Sequence, residues 1–188
     1  MRTSRPKSPE AVTTVERPLN VTLEDLCHGT GKKMKIKRKT YDDTTGKRKV
    51  EDKILEVPIK PGLKAGSKIK FKGVGDQEEG GQQDLHFVVT EKPHPYLRRD
   101  GDDIKTTIEL TLKEALTGWS RTVTTIEGRQ LPVSGSGPTQ PGFQESYPNL
   151  GMPTKKAGVR GDFVVEVKVK FPSSLTQSQK IKLKEVLP

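Results

Sequence analysis

The stretch Leu19–Gly29 reads LNVTLEDLCHG, and it returns 89 residues later, without a gap, as IELTLKEALTG over Ile108–Gly118. In both copies apolar residues alternate as in a strand. A Thr then precedes an acid by three residues, as in a capped helical turn, and a Gly closes the copy. A second repeat relates the sequence of Asp84–Val89 to that of Asp162–Val167. A period of this length indicates two copies of one small β domain and not a solenoid of short units.

Composition limits the size of the cores and the classes of function. Apolar residues make up 30% of the 188-residue chain, or about 40% with its 18 glycines, below the ~45–50% usual for globular domains, so we expect thin cores. The single Cys27 excludes an intrachain disulfide and a multi-cysteine zinc site. The net charge of +10 favours acidic partners.

The chain lacks the signals of membrane insertion and secretion. No apolar run approaches the ~18 residues of a membrane-spanning helix, and the first residues lack the apolar segment of a signal peptide. We therefore expect no membrane partner and a cytoplasmic location, with the nucleus as an alternative.

Strand and loop patterns define the expected fold class. Met34 and Ile36 alternate with lysines, which predicts a strand with one buried face, and Phe163–Phe171 alternates in the same way. The segments 73–83 and 134–153 are rich in glycine or proline and are expected to be loops. The predicted fold class is mostly β, with two tandem small antiparallel β-sandwich domains of similar fold, short helical turns and a C-terminal helix. The expected boundaries are a disordered tail at 1–16, a first β domain at 17–92, an interdomain linker at 93–103, a second β domain at 104–172 and the terminal helix at 173–188.

Eight short motifs occur along the chain in a specific order. They are Val21–Leu26, Gly31–Ile36, Lys60–Gly66, Lys92–His94, Arg98–Asp103, Leu112–Gly118, Gly151–Pro153 and Arg160–Phe163. Each is weak alone, but together, from about Pro18 to Pro188, they resemble the C-terminal peptide-binding region of the J-domain co-chaperones, the DnaJ family. The match is to the eukaryotic subtype without a zinc-binding module. The resemblance implies a non-enzymatic module that holds unfolded client polypeptides and needs no cofactor or metal.

Two departures from the family pattern narrow this expectation. The zinc module of the family needs paired cysteines, which one cysteine cannot supply. The J domain of the family carries His-Pro-Asp, whereas the nearest string here is His94-Pro95-Tyr96, between the two β domains. We therefore expect this chain not to stimulate a partner ATPase and to retain only the client-holding half of the family function.

The resemblance also implies a site on the first domain. If the Met34 strand lies at a sheet edge, its free N–H and C=O groups can pair with an extended peptide. The family places a hydrophobic groove here, with lysines beside it that receive the acidic C-terminal tail of the seventy-kilodalton heat-shock chaperone. The predicted peptide-binding residues are Leu19, Lys32, Lys33, Met34, Lys35, Ile36 and Phe87. The alternative is that the apolar members of this set belong to the core of a thin sandwich.

The basic residues leave two further functions open. Residues 32–53 contain ten Lys or Arg, which fits a protected strand edge. A basic β-domain nucleic-acid-binding protein is the alternative function, although only Tyr41 offers an aromatic ring in this stretch. A structural spacer without binding of its own is a third hypothesis. The three histidines show no metal-ligand spacing with each other or with Cys27.

The terminal helix is expected to carry an apolar stripe. In the family this segment joins two chains, so the resemblance implies a homodimer, and two grooves in one dimer would raise avidity for long clients. The predicted dimerisation residues are Ile181, Leu183, Val186 and Leu187. The alternative is that the helix packs on its own domain.

Overall fold

The computed structural model describes residues 12–188, and its elements confirm a mostly β protein. The chain divides between His94 and Pro95 into two compact units. Of the predicted tail 1–16, residues 1–11 lie outside the described part. Residues 14–16 begin the first strand, because Val15 pairs in register with Leu85. No helix among residues 12–188 is long and apolar enough to cross a membrane.

The first unit is built from a three-stranded sheet and a long hairpin. Its elements in chain order are β1 (Thr14–Val21), α1 (Leu23–His28), β2 (Thr30–Tyr41), β3 (Arg48–Ile59), β4 (Lys68–Phe71), β5 (Gln77–Glu78), β6 (Gly81–Gln82) and β7 (Asp84–Glu91). β7 is the central strand of the sheet, with β1 parallel on one side and β4 antiparallel on the other. β2 and β3 form the antiparallel hairpin, and β5 and β6 form a short ribbon.

The core of the first unit lies on one face of the sheet and one face of the hairpin. Burial alternates along each strand, as a half-buried sheet requires. The buried side chains of these strands are Leu19, Val21, Ile36, Leu55, Val57, Ile59, Leu85, Phe87 and Val89. Phe71 meets Phe87 edge to face, with ring centroids 5.8 Å apart and an interplanar angle of 86°.

The second unit contains a four-stranded sheet, a short hairpin and the terminal helix. Its elements in chain order are β8 (Leu97–Asp100), β9 (Asp103–Thr111), α2 (Leu112–Thr117), β10 (Trp119–Thr124), β11 (Gln130–Gly135), β12 (Gln144–Tyr147), β13 (Phe163–Lys170) and α3 (Gln177–Val186). The sheet has the order β12-β13-β9-β8, and β10 pairs with β11 in an antiparallel hairpin. The predicted terminal helix is thus present, and Thr176 caps it by accepting a hydrogen bond from the N–H of Gln179 at 3.2 Å.

The doubled sequence motif folds into two equivalent strand–helix–hairpin segments. β1–α1–β2 corresponds to β9–α2–β10, and β1 runs parallel to β7 as β9 does to β13. These parallel pairs correct the expectation of wholly antiparallel domains. A hairpin and further chain connect the first and last strand of each copy, and a connection of that length lets the two strands run in the same direction.

The capped turns follow the sequence pattern in both copies. The Thr22 hydroxyl accepts a hydrogen bond from the Asp25 N–H at 3.1 Å, and the Thr111 hydroxyl accepts one from the Glu114 N–H at 3.2 Å. The complete capping box is present only in the second copy, where the Glu114 carboxylate accepts from the Thr111 N–H. The same local signal therefore starts α1 and α2.

The glycine that closes each turn is required by the backbone. Gly29 has a φ of 77° and Gly118 a φ of 112°, which L side chains rarely adopt. A Cβ on Gly29 would also lie 2.8 Å from Cδ of Pro61. Glycine at this position lets the chain turn directly from the helix into β2.

Several short strands lie where the sequence predicted loops or a linker. β8 falls within the predicted linker 93–103, β12 within the predicted loop 134–153, and β5 and β6 within 73–83. Each has two to four residues and is held by a partner strand, as when Asp100 and Asp103 close the β8–β9 hairpin. Strands this short have too little periodicity of their own to be recognised from sequence.

Candidate functional site

Hydrogen bonds on the side of β2 away from β3 show which of its backbone groups point outward. The Lys39 N–H donates to Oδ1 of Asp76 at 2.7 Å, and the Tyr41 N–H donates to Oε1 of Gln77 at 3.0 Å. In an antiparallel pair the direction of these groups alternates from residue to residue, and β2 pairs with β3 over its whole length without a bulge. The other residues whose N–H and C=O groups point away from β3 are therefore Gly31, Lys33, Lys35 and Lys37.

Pro58 supports this assignment independently. It lies opposite Gly31 in the hairpin. Proline has no N–H, so it fits the ladder only where that group would point away from the partner strand. Gly31 and Pro58 therefore both direct their backbone groups outward.

Gly31, Lys33, Lys35 and Lys37 together form an open strand edge, which we call the β2 edge. Within residues 12–188, no strand except β3 pairs with β2. From Gly31 to Lys37 the edge spans six residue steps, or ~20 Å at ~3.3 Å per residue. An edge of this kind can accept an extended peptide as a further strand.

The opposite edge of the hairpin, along β3, is less suited to accept a strand. The outward backbone positions there include Pro58, which cannot donate a hydrogen bond, and the acidic Asp52 and Glu56. Proline blocks strand addition at sheet edges. The hairpin therefore offers one basic, open edge and one acidic, obstructed edge.

A cavity of about 530 Å³ lies beside the β2 edge. Val15, Ile36, Val50 and Leu85 give it an apolar lining, and Arg17 also lines it. Its volume falls in the ~300–1,000 Å³ range of small-ligand pockets.

The structure separates the four apolar residues predicted for a groove. Leu19 and Phe87 are 2% and 0% exposed, so both side chains are buried. Ile36 is also buried but lines the cavity. Met34 is half-buried on the same face of β2. Leu19 and Phe87 do not line the cavity, and this difference separates them from Ile36.

The lysines of β2 also differ in their surroundings. Lys32 donates to the Asn20 carbonyl at 2.9 Å and lies 3.5 Å from Asp25, so its ammonium is already engaged. Lys35 lies 2.7 Å from Asp52, and its hydrogen bond lowers the pKa of that carboxyl. Lys33 is exposed, with no ion pair among residues 12–188. Lys33 is therefore the predicted lysine best placed to receive a carboxylate.

Arg17 is a site residue that the sequence analysis missed. It lines the cavity, and its side chain forms no ion pair or hydrogen bond within the described residues. The carboxylates in the same lining are engaged, since Asp84 accepts from the Gly73 N–H at 2.9 Å and Asp76 accepts from Lys39. Four basic residues, Arg17, Lys37, Arg38 and Lys39, line the cavity against these two carboxylates, so its net charge is positive. The alternation of β1 would have placed Val15 and Arg17 on the same face as Leu19.

The terminal helix exposes most of the residues predicted for dimerisation. Ile181, Val186 and Leu187 are 50%, 75% and 48% exposed, and Leu183 is half-buried. No residue of α3 is fully buried. Three of the four predicted side chains are thus exposed on α3 and its C-cap.

Comparisons with known proteins agree with the resemblance seen in the motifs. Residues 15–172 match the family described as the DnaJ C terminal domain. Protein psi1 of Schizosaccharomyces pombe is 52% identical over 180 residues, covering 94% of this chain and 47% of the relative. Protein SIS1 of Saccharomyces cerevisiae is 43% identical, covering 94% and 49%. DnaJ homolog subfamily B member 5 of Homo sapiens is 39% identical, covering 93% and 51%. The chain therefore spans about half the length of these relatives.

Proposed function

The chain belongs to the DnaJ family through its C-terminal domain, and from this premise we propose that it is a client-binding co-chaperone module. It holds extended apolar segments of unfolded polypeptides by strand addition along the β2 edge. The observation that carries the proposal is this open edge of four outward residues beside a 530 Å³ cavity. Backbone hydrogen bonds supply sequence-independent affinity, and the cavity supplies a preference for an apolar side chain.

The same edge suits the acidic C-terminal tail of a seventy-kilodalton heat-shock chaperone. The side chains of Lys33 and Arg17 have no carboxylate partner within residues 12–188, whereas Lys35 forms an ion pair with Asp52. Positive groups beside a strand edge favour a peptide rich in carboxylates and speed its association. We therefore propose that Lys33, Met34, Lys35 and Ile36 contact bound peptide. Leu19 and Phe87 support the site from the core.

We also propose a homodimer through α3. The exposed Ile181, Val186 and Leu187 favour a partner surface, and a second copy of the chain would bring two β2 edges into one particle. Sizing over a range of concentrations tests this directly. A dimer should dissociate on dilution, and Ile181→Asp should shift the chain to the monomer, whereas a monomer at every concentration contradicts the proposal.

A titration with two ligands tests the binding function. One ligand is a peptide ending Glu-Glu-Val-Asp, and the other is single-stranded RNA. We expect saturable peptide binding and no strong RNA binding. Strong RNA binding with a steep salt dependence, and no peptide binding, would establish the nucleic-acid alternative instead. Absence of both would leave the spacer hypothesis.

Matched variants locate the binding surface. Met34→Asp places a charge on the inner face of β2, and Ile54→Asp makes the same change at an exposed position on the outer face of β3. We expect loss of peptide binding only for Met34→Asp, with both variants folded by circular dichroism. Lys33→Glu should weaken acidic-peptide binding more than Lys70→Glu, a control at an exposed position of β4. If Met34→Asp unfolds the chain, Met34 is a core residue.

A further inference from the structure

The β2 edge ends at Lys37 because the 73–83 segment lies beside the last residues of β2. Past Lys37, the next two outward residues of β2 are Lys39 and Tyr41. Their N–H groups donate to Oδ1 of Asp76 at 2.7 Å and to Oε1 of Gln77 at 3.0 Å. These are the bonds that a peptide strand would make if it continued along β2. Two side chains thus take the place of an added backbone.

The 73–83 segment is itself tied down at several points. The Gln83 N–H donates to the Asp76 carbonyl at 2.9 Å, and the Gly75 N–H donates to the Gln83 carbonyl at 2.9 Å. Glu78 accepts a hydrogen bond from the Thr13 hydroxyl at 2.8 Å. These bonds hold Asp76 and Gln77 in place beside β2.

We propose that Asp76 and Gln77 form a stop that limits the β2 edge to short segments. The site then takes an extended stretch of about seven residues, from Gly31 to Lys37, with an apolar side chain turned into the cavity at the stop end. This inference rests on the proposed strand-addition function and deepens it by giving the length and position of the bound segment. A longer client is held through one such stretch, and its remaining residues stay unpaired.

A series of peptides of increasing length tests the stop. Each peptide alternates apolar and polar residues and grows from five to thirteen residues, and its Kd is measured by fluorescence anisotropy. In the wild-type chain we expect affinity to rise up to about seven residues and then level off. In the double variant Asp76→Ala, Gln77→Ala we expect the rise to continue to about eleven residues. The two freed N–H groups, at about 1 kcal/mol for each new hydrogen bond, should tighten binding of the longest peptides roughly 30-fold.

The control variant is Glu79→Ala, which removes an exposed acid from the same segment. No hydrogen bond joins Glu79 to β2 in the described structure. The Glu79→Ala chain should level off at the wild-type length, which separates loss of the stop from loss of negative charge.

Amide hydrogen exchange supplies a second readout at single residues. A long peptide should slow exchange at Lys33, Lys35 and Lys37 of the wild-type chain without further effect at Lys39 and Tyr41. In the double variant, the same peptide should slow exchange at Lys39 and Tyr41 as well. If peptides bind but the length dependence and exchange pattern match the wild type, the stop is refuted and strand addition stands. If no peptide protects any β2 amide in either chain, the strand-addition function itself is refuted.

Discussion

Replacing Lys35 by proline tests whether peptide pairs with the β2 edge. The Lys35 N–H points away from β3, so Lys35→Pro removes a donor from the open edge and no hydrogen bond from the β2–β3 ladder. Each backbone hydrogen bond contributes about 1 kcal/mol net. The proline ring also keeps the added strand from pairing closely with the β2 residues next to position 35. We therefore expect two or three backbone hydrogen bonds between the peptide and β2 to be lost. This corresponds to ~2–3 kcal/mol, or roughly a 30- to 150-fold increase in Kd.

Isothermal titration calorimetry with an apolar–acidic peptide measures this change, and two controls interpret it. Lys35→Ala keeps the N–H but removes the ammonium group, and exposed ion pairs contribute only ~0–1 kcal/mol, so its Kd should rise by no more than about fivefold. Ile54→Pro introduces the same ring opposite Lys35, with its missing N–H on the β3 edge. Comparable strain enters the hairpin in both proline variants.

The outcomes separate edge pairing from general damage to the hairpin. Strand addition at β2 requires a large loss for Lys35→Pro and a small one for Ile54→Pro, with similar unfolding midpoints. Equal losses in the two variants would show that binding depends on hairpin integrity and not on the β2 edge. An unchanged Kd for Lys35→Pro would show that peptide binds without backbone pairing there, and the reasoning from β2 would fail.

Three further predictions concern the scaffold. Phe87→Ala should lower the free energy of unfolding by ~3–5 kcal/mol in urea titration, because a fully buried ring and its contact with Phe71 are lost; a cost below 1 kcal/mol would contradict its core position. Thr111→Ala should lower the free energy of unfolding by ~1 kcal/mol in the same assay, because it removes the cap of α2. An unchanged unfolding midpoint would show that the capping box does not stabilise the chain. Burial and Glu145 raise the pKa of Tyr147 to about 12. When the ultraviolet titration curve of the folded Tyr147→Phe variant is subtracted from that of the folded wild-type chain, the Tyr147 phenolate should appear near pH 12. Since the folded pKa exceeds the usual value of 10.0, the associated stability is complete below pH 10 and declines from pH 10 to 12, and a phenolate midpoint near pH 10 in the folded chain would refute the assignment.

The repeated architecture could be predicted because its signals are local. Alternation, a Thr capping residue and a closing Gly are sufficient to specify a strand and a capped turn in both copies, and α1 and α2 begin after Thr22 and Thr111 as expected. The alternation around Met34 likewise predicted β2. Strand direction could not be predicted, because period-two patterns are the same in parallel and antiparallel sheets. The parallel pairing of β1 with β7 depends on how the hairpin connects them.

The candidate site was predicted only in part. Sequence placed Met34, Ile36 and the lysines on one strand, and the structure makes that strand an edge. Leu19 and Phe87 have the same apolar character as Ile36, so no local signal could show that they are buried away from the cavity. Arg17 and Asp76 are far from β2 in sequence and reach the site only through packing of β1 and the 73–83 segment.

Local sequence patterns are enough to show that two β units of one kind follow each other, that each begins with a strand and a capped turn, and that the chain is basic. These properties depend on hydrogen bonds and side-chain periods within a few residues. Long-range packing determines which alternating strand stays unpaired on one side, which apolar residues line a cavity, and where Asp76 and Gln77 close the edge. Those properties depend on residues up to about 70 positions apart, as in the parallel pairing of β1 and β7, and long-range pairing of this kind leaves no pattern in a single strand.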